Sequence, residues 1–223
     1  MQDVDSAARM RLGLVAIALS GVVNAATIIV RGPFADPAFN PDTFVAVAGS
    51  SRFVVYALGT VLAVLLGVYA FIGLYAYLAY SDRALSRVAF WGMVLNIGLV
   101  LLLPSLGIYA FAGPPLSQLS AIDAQRALGL AKAFGSGTYL AVVLLQALFY
   151  CVGSLLFGIA IWRCRTLARW AGALFFLQAP LIQFAPLISY PGEIAGALML
   201  AVSSVWIAYV GWHTLERAVD KAG

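Results

Sequence analysis

The sequence has few charged residues: Asp, Glu, Lys and Arg make up 10% of its 223 positions, whereas soluble domains contain about 25%. Hydrophobic residues make up 63%, a share that excludes both a disordered chain and an ordinary soluble domain. The formal net charge of +4 is small and is divided among hydrophobic blocks, which excludes a nucleic-acid partner. We therefore expect an integral membrane protein whose main partner is the lipid bilayer.

Cysteine and histidine are almost absent, with two Cys and one His in the chain. The two cysteines form no spaced metal motif, and no disulfide is expected between Cys151 in a helix and Cys164 in a reducing compartment. His213 alone cannot supply two axial imidazoles to a membrane haem. Neither a metal site nor a haem is predicted.

Common catalytic motifs are missing too. The chain has no Gly-x-Ser-x-Gly elbow, no Gly-rich phosphate loop and no His-Glu-x-x-His zinc helix. His213 and Glu216 have the spacing of an acid/base pair on one helix face, but an ordinary interfacial helix end explains them more simply. Glu193 follows Pro191 and Gly192 and is interpreted as the acidic residue of a helix N-terminus. The sequence therefore predicts a non-enzymatic protein.

Six apolar segments are each long enough to cross a membrane, because a helix needs about 20 residues to cross a hydrocarbon core of about 30 Å. The predicted spans are residues 12–30, 53–80, 88–111, 139–162, 170–190 and 194–215. The sequence thus predicts an all-α fold: one polytopic six-transmembrane-helix bundle that forms a single domain over residues 1–223.

Positive charges near the ends of these spans are unequally divided between the two membrane surfaces. One surface has nine: Arg9, Arg11, Arg83, Arg87, Arg163, Arg165, Arg169, Arg217 and Lys221. The other surface has four: Arg31, Arg52, Arg126 and Lys132. Because loops rich in Lys and Arg stay in the cytoplasm, both termini are predicted to be cytoplasmic.

The loops differ in length on the two sides. The cytoplasmic loops at residues 81–87 and 163–169 are short, so predicted helices 2–3 and 4–5 form antiparallel hairpins. On the outer side, residues 31–52 contain three prolines and are interpreted as an irregular lid, while residues 117–134 are interpreted as a short helix lying on the outer surface.

The two hairpins resemble each other. Without gaps, Arg83, Leu85, Arg87, Ala89, Asn96 and Pro104 align with Arg165, Leu167, Arg169, Ala171, Gln178 and Pro186. A duplication would give a parallel repeat, since both hairpins run in the same direction across the membrane. Coincidence combined with the positive-inside bias explains the arginines equally well, so both interpretations remain open.

Amide side chains are the strongest polar groups inside the predicted spans, and polar groups at membrane depth need a partner or a cavity. Pro180 and Pro186, near two of these amides, mark the fifth predicted helix as a bent, cavity-lining one. The alternative is that the amides bond neighbouring helices, for about 0.6–2 kcal/mol each. The candidate ligand-binding residues are Asn24, Asn96, Gln146, Gln178 and Gln183.

Aromatic residues make up 13% of the chain. Many of them belong to the belt expected at a membrane surface: Tyr75, Tyr77, Tyr80, Trp91, Trp162, Trp170 and Trp212. A pigment or quinone pocket would use the same residue types. No cofactor is predicted, and a bound lipid or pigment is left open.

A resemblance rests on three features: the Pro-rich outer loop after the first helix, the hairpin tip Arg83-Ala84-Leu85-Ser86-Arg87, and the turn before the fifth helix. That turn reads Ile161-Trp162-Arg163-Cys164-Arg165-Thr166-Leu167-Ala168-Arg169-Trp170-Ala171-Gly172. The chain resembles a broad family of small six-span bacterial membrane proteins classed as a domain of unknown function. The resemblance implies a multi-pass protein of the bacterial cytoplasmic (inner) membrane, and it implies no reaction and no functional residues.

Two functional classes fit these observations. The first is a non-enzymatic membrane protein that binds a lipid or hydrophobic small molecule, or acts as a simple permease, in an amide-lined cavity. The second is an accessory or structural subunit of a larger respiratory or photosynthetic complex, with membrane-protein partners. Ion-coupled transport is disfavoured, because the sequence predicts no buried carboxylate within the membrane.

Overall fold

The computed structural model describes residues 2–33, 36–98, 100, 111–185 and 189–220, and the regular elements in these ranges are all helical. In chain order the α-helices are α1 (Gln2–Arg31), α2 (Pro41–Val47), α3 (Ser51–Ser81), α4 (Ser86–Ile97), α5 (Gly113–Ser120), α6 (Ala124–Phe134), α7 (Thr138–Arg163), α8 (Arg169–Phe184) and α9 (Tyr190–Asp220). A 3-10 turn at Arg83–Leu85 precedes α4. The all-α prediction is confirmed for the described part of the chain.

Four of these helices are long and apolar enough to cross a membrane. The qualifying segments are Ala8–Arg31 in α1, Ser51–Ser81 in α3, Thr138–Arg163 in α7 and Tyr190–Arg217 in α9. They correspond to the first, second, fourth and sixth predicted spans, each extended by some residues. The protein is therefore a membrane protein with four candidate spans among the described residues.

The other two predicted spans differ from the helices that contain them. α4 is described as far as Ile97, and residues 99 and 101–110 of the predicted third span lie outside the described residues. α8 ends at Phe184, so the fifth span was predicted too long, and Tyr190 already belongs to α9. With 16 residues, α8 is roughly 24 Å long. Six spans therefore remain a prediction.

Six helices pack as a closed ring. α3 contacts α1, α1 contacts α9, and α9 contacts α8. α8 then contacts α7, α7 contacts α4, and α4 contacts α3. The short connections α3–α4 and α7–α8 join neighbours in this ring, in agreement with the predicted hairpins.

Small residues allow α1 and α3 to approach closely. A Cβ atom on Gly73 would lie 2.4 Å from the Cα atom of Gly13, and one on Gly59 would lie 2.2 Å from Thr27 Cγ2. Between these contacts, Ser20 Oγ donates a hydrogen bond to the Ala63 carbonyl at 2.8 Å. These small residues thus serve packing inside the chain, where close backbones gain dispersion contacts that lipid cannot supply.

A layer formed by α2, α5 and α6 lies at the end of the ring where α3 begins, and we call it the cap layer. Its helices pack on one another and on the start of α3 through a buried apolar cluster: Phe44, Val45, Ala48, Phe53, Ala57, Leu116, Ala127 and Ala131. The prediction of an irregular lid over residues 31–52 is confirmed for the described residues 32–33 and 36–40, which have no helix or strand, and is wrong for Pro41–Val47, because Pro41 occupies the first turn of helix α2. The outer helix predicted at residues 117–134 is divided between α5 and α6.

The proposed hairpin repeat is neither confirmed nor contradicted. Pro104 and Pro186, its aligned prolines, lie outside the described residues. The aligned amides Asn96 and Gln178 are both completely buried, and each accepts a hydrogen bond from a residue of α7. Ser154 donates to Asn96, and Tyr150 donates to Gln178. This correspondence fits a duplication, but two amides do not establish one.

Candidate functional site

A cavity of about 160 Å³ lies inside the ring, at the end where the cap layer lies. α1, α3, α7, α8 and α9 line it, together with two residues of the loop after α1. Its polar lining consists of Ser20, Asn24, Arg31, Asp36, Tyr56, Thr60, Tyr139, Gln146, Tyr150, Gln183, Glu193 and Ser204. This volume is close to that of an engineered apolar cavity of about 150 Å³ that binds benzene.

Charged residues line the cavity at its cap end. Arg31 Nη2 donates a hydrogen bond to Glu193 Oε2, and their side chains are only 1% and 3% exposed. The Arg31 guanidinium carbon lies 4.8 Å from the centre of the Tyr56 ring, within the range of a cation–π contact. Tyr139 Oη donates to Asp36 Oδ2 at 2.7 Å, and Asp36 is itself 3% exposed. The pair Arg31–Glu193 joins the first span to the last, whereas the Tyr139 hydrogen bond joins the loop to α7.

These charges bear on two expectations. Glu193 lies in the first turn of α9, as predicted, and it is also a buried partner of Arg31. The expectation that no buried carboxylate is present is wrong, since Glu193 lies within a candidate span and is 2% exposed. The argument that disfavoured ion-coupled transport on this ground therefore no longer applies.

Residues lining the middle of the cavity carry buried polar atoms that have no hydrogen-bond partner in the described part of the chain. Gln146 is completely buried, and neither its Nε2 nor its Oε1 atom is bonded. Asn24 Oδ1 and Ser204 Oγ are buried and unbonded in the same way. Asn24 is seven residues from Arg31, and Gln146 is seven residues from Tyr139, so both amides lie roughly 10 Å below the cap end.

Aromatic rings mark the other end of the cavity. Phe71 stacks on Phe157 with ring centres 5.7 Å apart, and Phe157 meets Phe175 edge to face at 6.3 Å. Phe71 and Phe175 line the cavity. Beyond them follows the main apolar core, which includes the fully buried Leu74 and Ile207. The cavity therefore combines a charged end, a polar middle and an apolar floor.

Three of the five predicted ligand-binding residues line this cavity: Asn24, Gln146 and Gln183. The other two bond within the protein. Asn96 Nδ2 donates to the Gly92 carbonyl at 2.8 Å and Asn96 Oδ1 accepts from Ser154 at 3.3 Å. Gln178 Nε2 donates to the Phe175 carbonyl and Gln178 Oε1 accepts from Tyr150, both at 3.0 Å.

The position of Gln178 has a consequence for the site. It lies behind Tyr150, a cavity-lining residue, and holds that tyrosine in place. Asn96 and Gln178 thus act as bonds between helices, the alternative considered for all five amides. Ligand binding by Asn24, Gln146 and Gln183 stays a prediction.

Sequence reasoning missed the charged end of the cavity. Arg31 was counted among the outer positive charges, and Asp36 was not singled out. One signal was available: Arg31 ends the first span and Glu193 begins the last one, so charges of opposite sign adjoin apolar runs at the same membrane surface. Spans that meet in the fold can pair such residues.

His213 and Glu216 lie on α9 away from this cavity. His213 Nδ1 is 3.0 Å from Glu216 Oε2, with side chains 45% and 41% exposed, and Trp212 Nε1 donates to Glu216 Oε1 at 2.5 Å. This is an exposed cluster near a helix end. Among the described residues, no group of three or more His, Cys, Asp and Glu side chains could hold a metal ion.

No protein-family model, no curated protein sequence and no solved structure matches the chain.

Proposed function

We propose that the protein is a six-span integral membrane protein that binds one small amphipathic molecule in the cavity and does not catalyse a reaction. The observation that carries the proposal is Gln146, which is fully buried, lines the cavity and leaves both amide atoms unbonded among the described residues. Leaving a buried polar group unpaired costs about 1–3 kcal/mol, so a ligand that satisfies it gains that free energy on binding.

The lining determines the chemistry of the ligand. Its polar group must reach the level of the lining residues Gln146 and Asn24, which carry an amide donor and two amide acceptors that have no hydrogen bond among the described residues. Its apolar part packs toward Phe71 and Phe175. A molecule with about one ring or a short branched chain matches a volume of about 160 Å³.

Binding is favoured over passage through the bundle, because the cavity ends at the rings of Phe71 and Phe175. Inward of Phe71 and Phe175 the side chains form a continuous buried apolar cluster. A permease would need a second conformation that opens this cluster. The cavity as it stands fits a receptor or carrier site that is reached from one half of the membrane.

The complete topology is part of the proposal. α4 and α8 occupy positions in the helix ring beside candidate spans, which supports membrane-spanning roles for both segments. The count of nine positive charges against four supports cytoplasmic termini and an outer position of the cap layer. The resemblance noted above supports the cytoplasmic membrane of a bacterium.

Native mass spectrometry of protein released from mild detergent tests the function. We expect the wild-type chain to carry one small molecule, which Gln146→Leu loses and which Gln125→Leu retains. Gln125 is an exposed residue of α6, so it controls for the chemical change alone. Equal ligand content in the three proteins would refute the site. A defined heavier complex with partner subunits would favour the alternative, an accessory subunit of a membrane complex.

A further inference from the structure

Among the described residues that line the cavity, the charged side chains do not balance. They are Arg31, Asp36 and Glu193, one positive and two negative side chains, so the formal sum over this described lining is −1. All three are at most 3% exposed. Because water is largely excluded there, this net charge is screened far less than a surface charge. A ligand in the cavity experiences a negative field from the cap end.

We infer that the ligand is a small primary amine with an apolar body, bound as its ammonium ion at the level of Gln146 and Asn24. This inference rests on the proposed function and specifies the class of molecule that the same site takes. An ammonium group has three N–H donors and no acceptor. The lining residues Gln146, Asn24 and Ser204 carry acceptor oxygens that have no hydrogen bond among the described residues.

The same lining disfavours the other charge classes. A carboxylate or phosphate has no N–H or O–H to give to Gln146 Oε1 or Asn24 Oδ1, and Asp36 and Glu193 repel it. A divalent metal ion needs about six oxygen ligands, whereas the described residues contain no cluster of three metal-ligating side chains. The apolar body of the amine packs on Phe71 and Phe175, where an aromatic ring makes favourable contacts.

Three probes of matched shape separate these classes: benzylamine, benzyl alcohol and benzoate. Their binding to the purified protein in maltoside micelles is measured by ligand-observed nuclear magnetic resonance. One net charge at roughly 10 Å, with an effective dielectric constant of about 20, changes a binding constant by roughly tenfold. We expect benzylamine to bind about ten times more tightly than benzyl alcohol, and benzoate about ten times more weakly.

Variants show where the preference arises. Asp36→Asn brings the formal charge of the described lining to zero, so it should abolish the preference for benzylamine over benzyl alcohol. Asp42→Asn, an exposed residue of α2, makes the same change outside the cavity and should retain the preference. Gln146→Leu should weaken binding of both probes, because it removes the polar group that they share.

The outcomes distinguish the inference from the function on which it rests. If benzyl alcohol binds in a Gln146-dependent way and benzylamine binds no better, the amine inference is wrong and the binding function stands. Tighter binding of benzoate would also overturn the inference. If none of the three probes binds in a Gln146-dependent way, the proposed function fails as well. If Asp36→Asn does not fold, the order of the three wild-type affinities still decides the question.

Discussion

Replacing Gln146 with Leu should stabilise the ligand-free protein, whereas replacing Gln178 with Leu should destabilise it. Both glutamines are completely buried inside the helix ring. They differ in their partners: Gln178 makes two side-chain hydrogen bonds of 3.0 Å, and Gln146 makes none among the described residues. The same substitution therefore removes an unsatisfied amide at one site and a satisfied amide at the other.

The magnitudes follow from the cost of unpaired polar groups. Removing the unsatisfied Gln146 amide relieves about 1–3 kcal/mol, less whatever water in the cavity already provides. The Gln178 variant loses hydrogen bonds worth about 0.6 kcal/mol each within a membrane and leaves the Tyr150 hydroxyl without its acceptor. We expect the free energy of unfolding to rise by about 1 kcal/mol in Gln146→Leu and to fall by about 1–2 kcal/mol in Gln178→Leu.

Equilibrium unfolding in mixed micelles of maltoside and sodium dodecyl sulfate measures both changes. The samples must first be shown free of ligand by mass spectrometry, because a bound ligand stabilises the wild type by mass action. If Gln146→Leu destabilises the protein as much as Gln178→Leu does, Gln146 has a structural partner. That result would remove the observation on which the proposed function depends.

Three further predictions concern packing, the ion pair and topology. Gly73→Ala should lower the free energy of unfolding by about 1–3 kcal/mol, because its Cβ would lie 2.4 Å from the α1 backbone. Gly129→Ala, whose Cβ would enter open space, should raise the free energy of unfolding by up to about 1 kcal/mol, and equal effects of the two variants would refute the close contact. Glu193→Gln should cost about 1.5–3 kcal/mol in the same unfolding assay, because it replaces the charged partner of a buried hydrogen bond from Arg31 by a neutral one, and an unchanged free energy of unfolding would contradict the geometry. In the variant Gln125→Cys, the new thiol should react with a membrane-impermeant thiol reagent in intact cells. Reaction only after permeabilisation would reverse the proposed orientation.

Much of the fold could be predicted from local composition. Four candidate spans agree with long apolar runs, because hydrocarbon excludes unbonded backbone groups and charges whatever the neighbours are. The errors occur where local rules compete. Pro41 was interpreted as part of an irregular lid, yet a proline at the first turn is compatible with a helix and α2 begins there. Tyr190 was assigned to the fifth span although it starts α9.

The site could be predicted only in part. Composition alone selects amides as unusual inside apolar helices, and three of the five line the cavity. Sequence cannot tell Gln146 from Gln178, because each is one amide in an apolar helix. Which of them finds a partner depends on how α7 and α8 are rotated against each other. That rotation is set by packing over the whole length of both helices.

The sequence by itself determined that the chain lies in a membrane, that it is helical, and which side chains are too polar for their surroundings. These properties depend on single residues and their near neighbours along the chain. Only the tertiary structure decided that Arg31 meets Glu193, 162 positions away, and that the described lining of the cavity has a formal charge of −1. Such contacts arise because the ring of helices closes α1 against α9, and ring closure is a property of the whole bundle rather than of any segment.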